Sequence, residues 1–306
     1  MSAPYSPEAT RLILRAPGVE AWVCPELGGM VVKYAVDLGN GLVDVLDCRE
    51  EKLRGWPDRI HFGNPILFPI VSWVRTNGED NVYKVNGSPF VLPQHGFARK
   101  SVWTVENVSD TEVTLSLGHS DATLKTFPFK FKFTLCYRLK NQALEISAMV
   151  HNLSDATMPF AIGFHPYFNA PLSSASSKGA CYLDVPECER ISPLDSDWMN
   201  YSAIKQPQGR LAADTDLSGT FFYKNVEGAL IRLVDEPSGY AVNVSWSNPH
   251  LLSWVAVWSR ATDEKQVCIE PWTTGPNPVV RPDEMCHLLA DESATCTLLL
   301  SLNRMT

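Results

Sequence analysis

The strongest constraint on the fold is an alternating run over residues 129–138. Its odd-numbered positions are all aromatic or aliphatic, whereas its even-numbered positions are lysine, threonine, cysteine and arginine. A period of two is typical of a β-strand with one buried face. Residues 143–150 alternate in the same way after the Lys140-Asn141 pair. The sequence therefore predicts a long antiparallel hairpin formed by these two runs.

Short runs rich in β-branched and aromatic residues recur along the chain, with Gly, Pro and Asn-Gly turn signals between them. Further strands are predicted at residues 11–15, 21–23, 31–36, 42–46, 82–85, 229–234, 240–246, 251–258, 266–269 and 294–302. No amphipathic helix of twelve or more residues is predicted, and residues 50–58 form at most one helical turn. This pattern predicts an antiparallel all-β fold, a large sandwich or barrel, in a single domain over residues 1–306.

Two segments depart from the strand pattern. Residues 62–70 are apolar but contain Pro65 and Pro69. Because proline cannot donate a hydrogen bond within a central ladder, this segment should lie at a sheet edge or cross a sheet as a loop. Residues 173–179 are rich in serine and are predicted to form an exposed loop.

Composition excludes several classes of partner. The 306 residues carry a net charge of −8, which argues against nucleic acid and anionic membranes because both require a basic surface. Neither a secretion signal nor a membrane span is recognisable, so a cytoplasmic location is expected. The eight cysteines show no C-x-x-C spacing, which indicates neither a zinc ribbon nor a redox pair, and no disulfide is expected in a reducing compartment.

Three stretches place a reactive side chain where an apolar run meets a Gly/Pro turn. They are residues 92–99, 162–169 and 267–276, and they contain His95, His165 and Glu270 respectively. A carboxylate on a buried strand either finds partners or has its pKa raised by desolvation toward the range of a general base. The competing interpretation is a buried ion pair between Glu270 and an arginine such as Arg75 or Arg99.

The surroundings of the two histidines favour a sugar ligand. Both are flanked by glycine and aromatic residues, and aromatic faces pack against the C–H faces of sugars while polar groups hold the hydroxyls. Four tryptophans are candidates for such stacking: Trp73, Trp254, Trp258 and Trp272. For Trp254 and Trp258, core packing is the better interpretation. The other five histidines are predicted to be structural: His61, His119, His151, His250 and His287.

Taken in order, the segments around His95, His165 and Glu270 resemble the galactose mutarotase, or aldose 1-epimerase, superfamily. The matching residues read QHGFAR at 94–99, GFHPYF at 163–168 and CIEPW at 268–272, and NPILFP at 64–69 is similar to the segment ahead of the family's first histidine. The resemblance extends from about Gly28 to the C-terminus.

The resemblance implies a β-supersandwich that interconverts the α and β anomers of an aldose without a cofactor or metal. Glu270 would be the general base on the C1 hydroxyl and His165 the general acid on the ring oxygen. His95 and Arg75 would hold the sugar, with Arg99 and Trp272 as further substrate-binding candidates. The expected partner is a small aldose, and the chain is expected to be a monomer or homodimer.

One departure from the family pattern concerns its sugar-binding aspartate, which precedes a late strand beside an aromatic residue. Here residues 214–222 carry no acid immediately before Phe221-Phe222. Asp216 is the nearest candidate.

Three other functions fit parts of the same sequence. A hexose 6-phosphate could be the substrate, with a phosphate clamp formed by Arg54, Arg59, Arg99 and Lys100. A carbohydrate-binding module without turnover would bind sugar but would not need a buried base. A cupin-like barrel could use His95, His165 and Glu270 as a two-histidine, one-carboxylate metal site, although the two histidines are seventy positions apart in the sequence (165 − 95).

Overall fold

A computed structural model describes residues 9–215, 217, 219–259 and 265–305. The described chain is built from β-strands, with two four-residue helices, α1 (Glu50–Leu53) and α2 (Asp121–Leu124). The first strands are β1 (Leu12–Ala16), β2 (Val19–Cys24), β3 (Met30–Asp37), β4 (Leu42–Asp44), β5 (Ile66–Leu67), β6 (Arg75–Thr76), β7 (Glu79–Asp80), β8 (Val82–Val85), β9 (Ser88–Val91), β10 (Thr104–Val108), β11 (Glu112–Gly118), β12 (Phe131–Lys140), β13 (Ala143–Asn152) and β14 (Met158–Phe160). The later strands are β15 (Gly163–Phe164), β16 (Tyr167–Asn169), β17 (Cys181–Val185), β18 (Cys188–Pro193), β19 (Tyr201–Gln206), β20 (Gly209–Ala212), β21 (Gly219–Lys224), β22 (Leu230–Asp235), β23 (Tyr240–Trp246), β24 (Trp254–Ser259), β25 (Gln266–Trp272), β26 (Cys286–Leu288) and β27 (Ser293–Arg304).

Two large antiparallel sheets dominate the architecture. The nine-stranded sheet has the order β10-β11-β12-β13-β27-β23-β22-β17-β20. The eight-stranded sheet has the order β19-β18-β21-β24-β25-β15-β5, with β16 also paired to β25. A four-stranded sheet, β1-β2-β3-β4, and three two-stranded ribbons complete the described structure. The fold is the antiparallel β-supersandwich expected from the sequence.

The predicted central hairpin is confirmed. Strands β12 and β13 pair over ten residues, from Phe131 opposite Asn152 to Lys140 opposite Ala143. Asn141 and Gln142 between them have φ angles of 50° and 63°, as a two-residue hairpin turn of type I′ requires. The odd-numbered residues of β12 are buried and the even-numbered ones are exposed or half-buried, so the period of two identified the core face correctly.

The main core lies between the two large sheets. It joins Phe133 and Leu135 of β12 to Val255 of β24 and Ile269 of β25. Because neighbouring residues of a strand point to opposite faces, Cys268, Glu270 and Trp272 project to the other side of the eight-stranded sheet. There Trp272 packs in a second apolar cluster with Trp254.

The predicted edge position of residues 62–70 is confirmed, because β5 is the terminal strand of the eight-stranded sheet. The strand predicted over residues 251–258 begins later, at Trp254. Asn248 has a φ of 54°, and the Leu251 N–H donates to the Asn248 carbonyl at 2.9 Å; this turn uses the backbone groups that a longer strand would need. Among the described residues, no helix has the length and apolarity needed to cross a bilayer.

Candidate active site

Strand β25 carries the central carboxylate. All seven residues of Gln266–Trp272 are buried, and Glu270 retains 2% of its exposure. Pairing with β24 places Glu270 opposite Ala256, whose small side chain leaves room above the sheet. The carboxylate therefore stands on a rigid strand and faces away from the main core.

His165 occupies the bend between β15 and β16 and meets Glu270 directly. Its Nε2 atom lies 3.3 Å from Glu270 Oε2 and 3.4 Å from the Tyr167 hydroxyl. The Tyr167 ring stacks on the imidazole at 4.7 Å and 13°, and the buried Asn64 Oδ1 accepts a 2.9 Å hydrogen bond from the His165 backbone N–H. These contacts fix the position of the His165 ring beside the carboxylate.

A left-handed backbone turn positions His95. His95 and Gly96 have φ angles of 62° and 69°, a region that costs a non-glycine residue energy and recurs at functional sites. A Cβ on Gly96 would lie 2.1 Å from the Phe68 carbonyl oxygen, so glycine is required there. The Ser72 backbone N–H donates to His95 Nδ1 at 3.0 Å, which places the ring proton of a neutral His95 on Nε2.

The three side chains share one cavity of about 300 Å³. The His95 and His165 rings lie 5.4 Å apart, and Trp272 meets His95 edge-on at 5.9 Å. The remaining lining residues are Asp58, Ile60, His61, Ser72, Trp73, Gln94, Arg99, Tyr167, Thr220, Phe222 and Trp258. The cavity thus combines acid/base groups with aromatic walls.

Burial controls the charges of the cavity. It raises the pKa of Glu270 well above its usual range, against the opposing effects of the Trp272 indole N–H and the Arg99 guanidinium. Burial, aided by the positive charge of Arg99, lowers the pKa of His165 to about 3 and holds that of His95 well below its usual range. Burial therefore favours the uncharged state of the Glu270–His165 pair, in which the carboxyl group is protonated and the imidazole is neutral.

Comparisons with known proteins agree with this geometry. The family model for aldose 1-epimerase matches residues 11–287. The chain belongs to the aldose 1-epimerase family. It is 27% identical over 223 residues to the chromosomal LacX protein of Lactococcus lactis, covering 68% of this chain and 73% of LacX.

Two solved structures show the same fold. A galactose mutarotase related enzyme from Lactobacillus acidophilus is 25% identical with a TM-score of 0.80, covering 97% of this chain and 98% of that one. The Slr1438 protein from Synechocystis sp. PCC 6803 is 24% identical with a TM-score of 0.80, covering 98% and 97%. Membership of this aldose 1-epimerase family supports an isomerase-type enzyme.

Most of the residues singled out from the aldose 1-epimerase resemblance line the cavity. Glu270, His165, His95, Arg99 and Trp272 all do so. The alternative ion pair of Glu270 with an arginine is replaced by the 3.3 Å contact between His165 Nε2 and Glu270 Oε2.

One predicted sugar-binding residue, Arg75, lies outside the cavity, and another, Asp216, is not among the described residues. The Nε of Arg75, on the β6–β7 ribbon, bonds Asp80 Oδ1 at 2.6 Å. Arg75 lines a neighbouring depression with Trp73 and Gln94 and does not line the cavity of this aldose 1-epimerase family member. Asp216 falls outside the described residues.

The tryptophans divide between wall and core. Trp73, Trp258 and Trp272 line the cavity, whereas Trp254 is 2% exposed and packs in the second apolar cluster. Core packing was therefore the correct interpretation for Trp254 and the wrong one for Trp258, whose strand turns one face to the cavity.

Sequence reasoning missed several members of the site. His61 was predicted to be structural, yet it lines the cavity and lies 5.9 Å from the Tyr167 ring and 6.1 Å from that of Trp258. Its position just before Phe62-Gly63 is the same glycine-aromatic context that drew attention to the other two histidines. Ser72 acts through its backbone N–H, and no side-chain pattern reveals that role.

Proposed function

We propose that this member of the aldose 1-epimerase family catalyses mutarotation of a free hexose, with Glu270 and His165 as the acid/base pair. The observation that carries the proposal is the 3.3 Å contact between His165 Nε2 and Glu270 Oε2 in the floor of a small cavity with aromatic walls. Opening a hemiacetal requires one proton to leave the C1 hydroxyl and another to reach the ring oxygen. The hydroxyl oxygen and the ring oxygen are both bonded to C1. A single paired site can therefore serve both.

In this mechanism the pair begins in the uncharged state that burial favours, with its proton on Glu270. When that proton moves to His165 across the 3.3 Å contact, the carboxylate of Glu270 can take the C1 hydroxyl proton while the imidazolium protonates the ring oxygen. The C1–O5 bond opens to an aldehyde, and rotation about C1–C2 exposes its other face. Ring closure reverses both transfers, so the pair returns to its initial state without a cofactor.

The other cavity groups would hold the sugar during this rotation. His95 presents its Nε2–H because Nδ1 accepts the hydrogen bond from the Ser72 backbone, so it donates to a sugar oxygen. Arg99, whose Nη2 donates to the Gln94 carbonyl oxygen at 3.1 Å, supplies a second donor. The rings of Trp258 and Trp272 offer faces for the C–H groups of the pyranose.

Charge favours an unphosphorylated sugar over a hexose 6-phosphate. Among the described lining residues, Arg99 is the single Lys or Arg, and the carboxyl groups of Asp58 and Glu270 share the cavity with it. Arg54, Arg59 and Lys100 do not line it. A dianionic phosphate is usually held by several cationic groups, and the described lining offers one Lys or Arg side chain.

The decisive experiment is polarimetry of freshly dissolved α-galactose, α-glucose and α-glucose 6-phosphate with the wild-type protein. Acceleration of the free sugars beyond that of the phosphate supports the proposal. A preference for the phosphate would shift the substrate to the phosphorylated sugar, and saturable binding without acceleration would identify a carbohydrate-binding protein.

A further inference from the structure

Beneath the proposed catalytic pair lies a thiol that mutarotation does not use. Cys268 is two residues before Glu270 on β25, so both side chains project to the same face of the sheet. It pairs with Tyr167 on one side and with Trp258 on the other, and both of these rings line the cavity. Cys268 is fully buried and lies outside the cavity lining.

The thiol completes a cluster of three metal-ligating groups. One ligand atom from each of His165, Cys268 and Glu270 lies within 4.8 Å of the other two. A tetrahedral ion with bonds of about 2.0–2.1 Å to nitrogen and oxygen holds those two atoms about 3.3 Å apart, and the His165 Nε2 to Glu270 Oε2 distance is 3.3 Å. The imidazole and carboxylate already have the spacing that such an ion requires.

We propose that His165, Cys268 and Glu270 form a binding site for a borderline-soft divalent ion such as Zn²⁺, and that ion binding switches mutarotation off. One imidazole, one thiolate and one carboxylate make up a donor set suited to Zn²⁺ or Cd²⁺ and unsuited to Mg²⁺ or Ca²⁺. Three protein ligands leave the fourth position to face the cavity. A bound ion occupies the lone pairs with which His165 and Glu270 exchange protons. Ion binding and mutarotation therefore exclude each other.

This site differs from the two-histidine, one-carboxylate arrangement considered from the sequence. His95 Nδ1 already accepts the Ser72 N–H, and His95 is not part of the cluster. Cys268 takes its place. Since the thiol is the softest of the three donors, it sets the preference for zinc-like ions over the hard cations.

Binding is tested without reference to sugar chemistry by titrating chelator-washed protein with Co²⁺. We expect a thiolate-to-cobalt charge-transfer band in the near ultraviolet that Zn²⁺ displaces. Cys268→Ala should abolish the band, whereas Cys296→Ala, at an equally buried cysteine in β27, should keep it. Absence of the band in the wild type overturns the site without any variant, and so does its persistence in Cys268→Ala.

Inhibition is tested by polarimetry with added Zn²⁺, and this arm rests on the proposed function. Each variant is compared with its own metal-free rate. Cys268→Ala loses a ligand, so the Zn²⁺ concentration needed for inhibition should rise by more than about tenfold, since even outer-sphere partners are worth about 10–100-fold in affinity. Cys296→Ala should match the wild type. Equal inhibition of both variants, or acceleration by Zn²⁺, would refute the switch. If the protein shows no mutarotation, the cobalt spectrum still decides the metal site.

Discussion

Replacement of Glu270 by glutamine should separate chemistry from stability. The amide keeps the shape of the side chain but cannot accept the C1 hydroxyl proton. Loss of a positioned general base typically costs about 10²–10⁴ in rate, which corresponds to about 3–5 kcal/mol of transition-state stabilisation. We expect kcat to fall by that factor, because the pair with His165 loses its exchangeable proton.

The Glu270→Gln protein should also become more stable relative to the wild type as pH rises, because the wild type alone loses stability. Glu270 is 2% exposed, and burial raises its pKa well above its usual value of 4.5. A carboxyl group whose folded pKa is raised binds more protons in the folded than in the unfolded state. Its favourable contribution is therefore complete below about pH 4.5 and is lost as pH rises through the folded pKa, at about 1.4 kcal/mol per pH unit. Glutamine does not titrate, so the variant escapes this loss.

Two measurements check both halves of this prediction. Polarimetry, with NMR integration of the two anomers, gives the rate, and urea denaturation at a series of pH values gives the free energy of unfolding. Asp235→Asn is the matched control, because Asp235 is a fully buried carboxyl group that accepts a hydrogen bond from the Leu172 N–H outside the cavity. The control should keep its kcat. A Glu270→Gln protein with near wild-type kcat would remove Glu270 from the mechanism, and a difference in unfolding free energy that does not grow with pH would refute the electrostatic reasoning.

Three further substitutions test other parts of the structure. His165→Asn should lower kcat by about 10²–10⁴; because burial lowers the pKa of His165 to about 3, it should also remove the stability loss that the wild type suffers as pH falls from 6.5 toward 3, as urea titrations would show. Gly96→Ala should lower the melting temperature, since its Cβ would lie 2.1 Å from the Phe68 carbonyl oxygen at a φ of 69°; an unchanged value would show that the turn can move. Phe131→Ala, at a fully buried ring of the central hairpin, should cost about 3–5 kcal/mol in denaturant unfolding with little effect on kcat of the residual folded protein.

The sequence was most informative where one local rule decides the outcome. The period of two in β12 predicted which residues face the core, and the prolines at 65 and 69 predicted an edge position for β5. The strand predicted from residue 251 began late because the Asn248 turn depends on a left-handed backbone, which composition does not reveal.

For the site, three segments that resemble the aldose 1-epimerase family in the same order were enough to predict that His95, His165 and Glu270 share one cavity. The roles of Ser72 and Asn64 were not predictable. Ser72 acts through its backbone N–H, and Asn64 binds the backbone of His165, which lies 101 positions away in the sequence. Arg75 was expected in the cavity, but its bond to Asp80 within a two-stranded ribbon keeps it outside. Which partner an arginine binds depends on the groups that the fold places beside it, and the sequence alone does not show them.

The floor and the wall of the cavity differ in how far they are buried, and so in how freely their residues can be substituted. Its floor belongs to β25, a strand buried along its whole length, so a larger side chain there would have no solvent to move into. Its wall includes Trp73, a half-buried residue in a loop, and Thr220, an exposed residue near the start of β21. Substitutions should therefore accumulate faster in the wall than in the floor. Changes in the wall can alter which sugar is bound, while the residues of the floor that exchange protons stay the same.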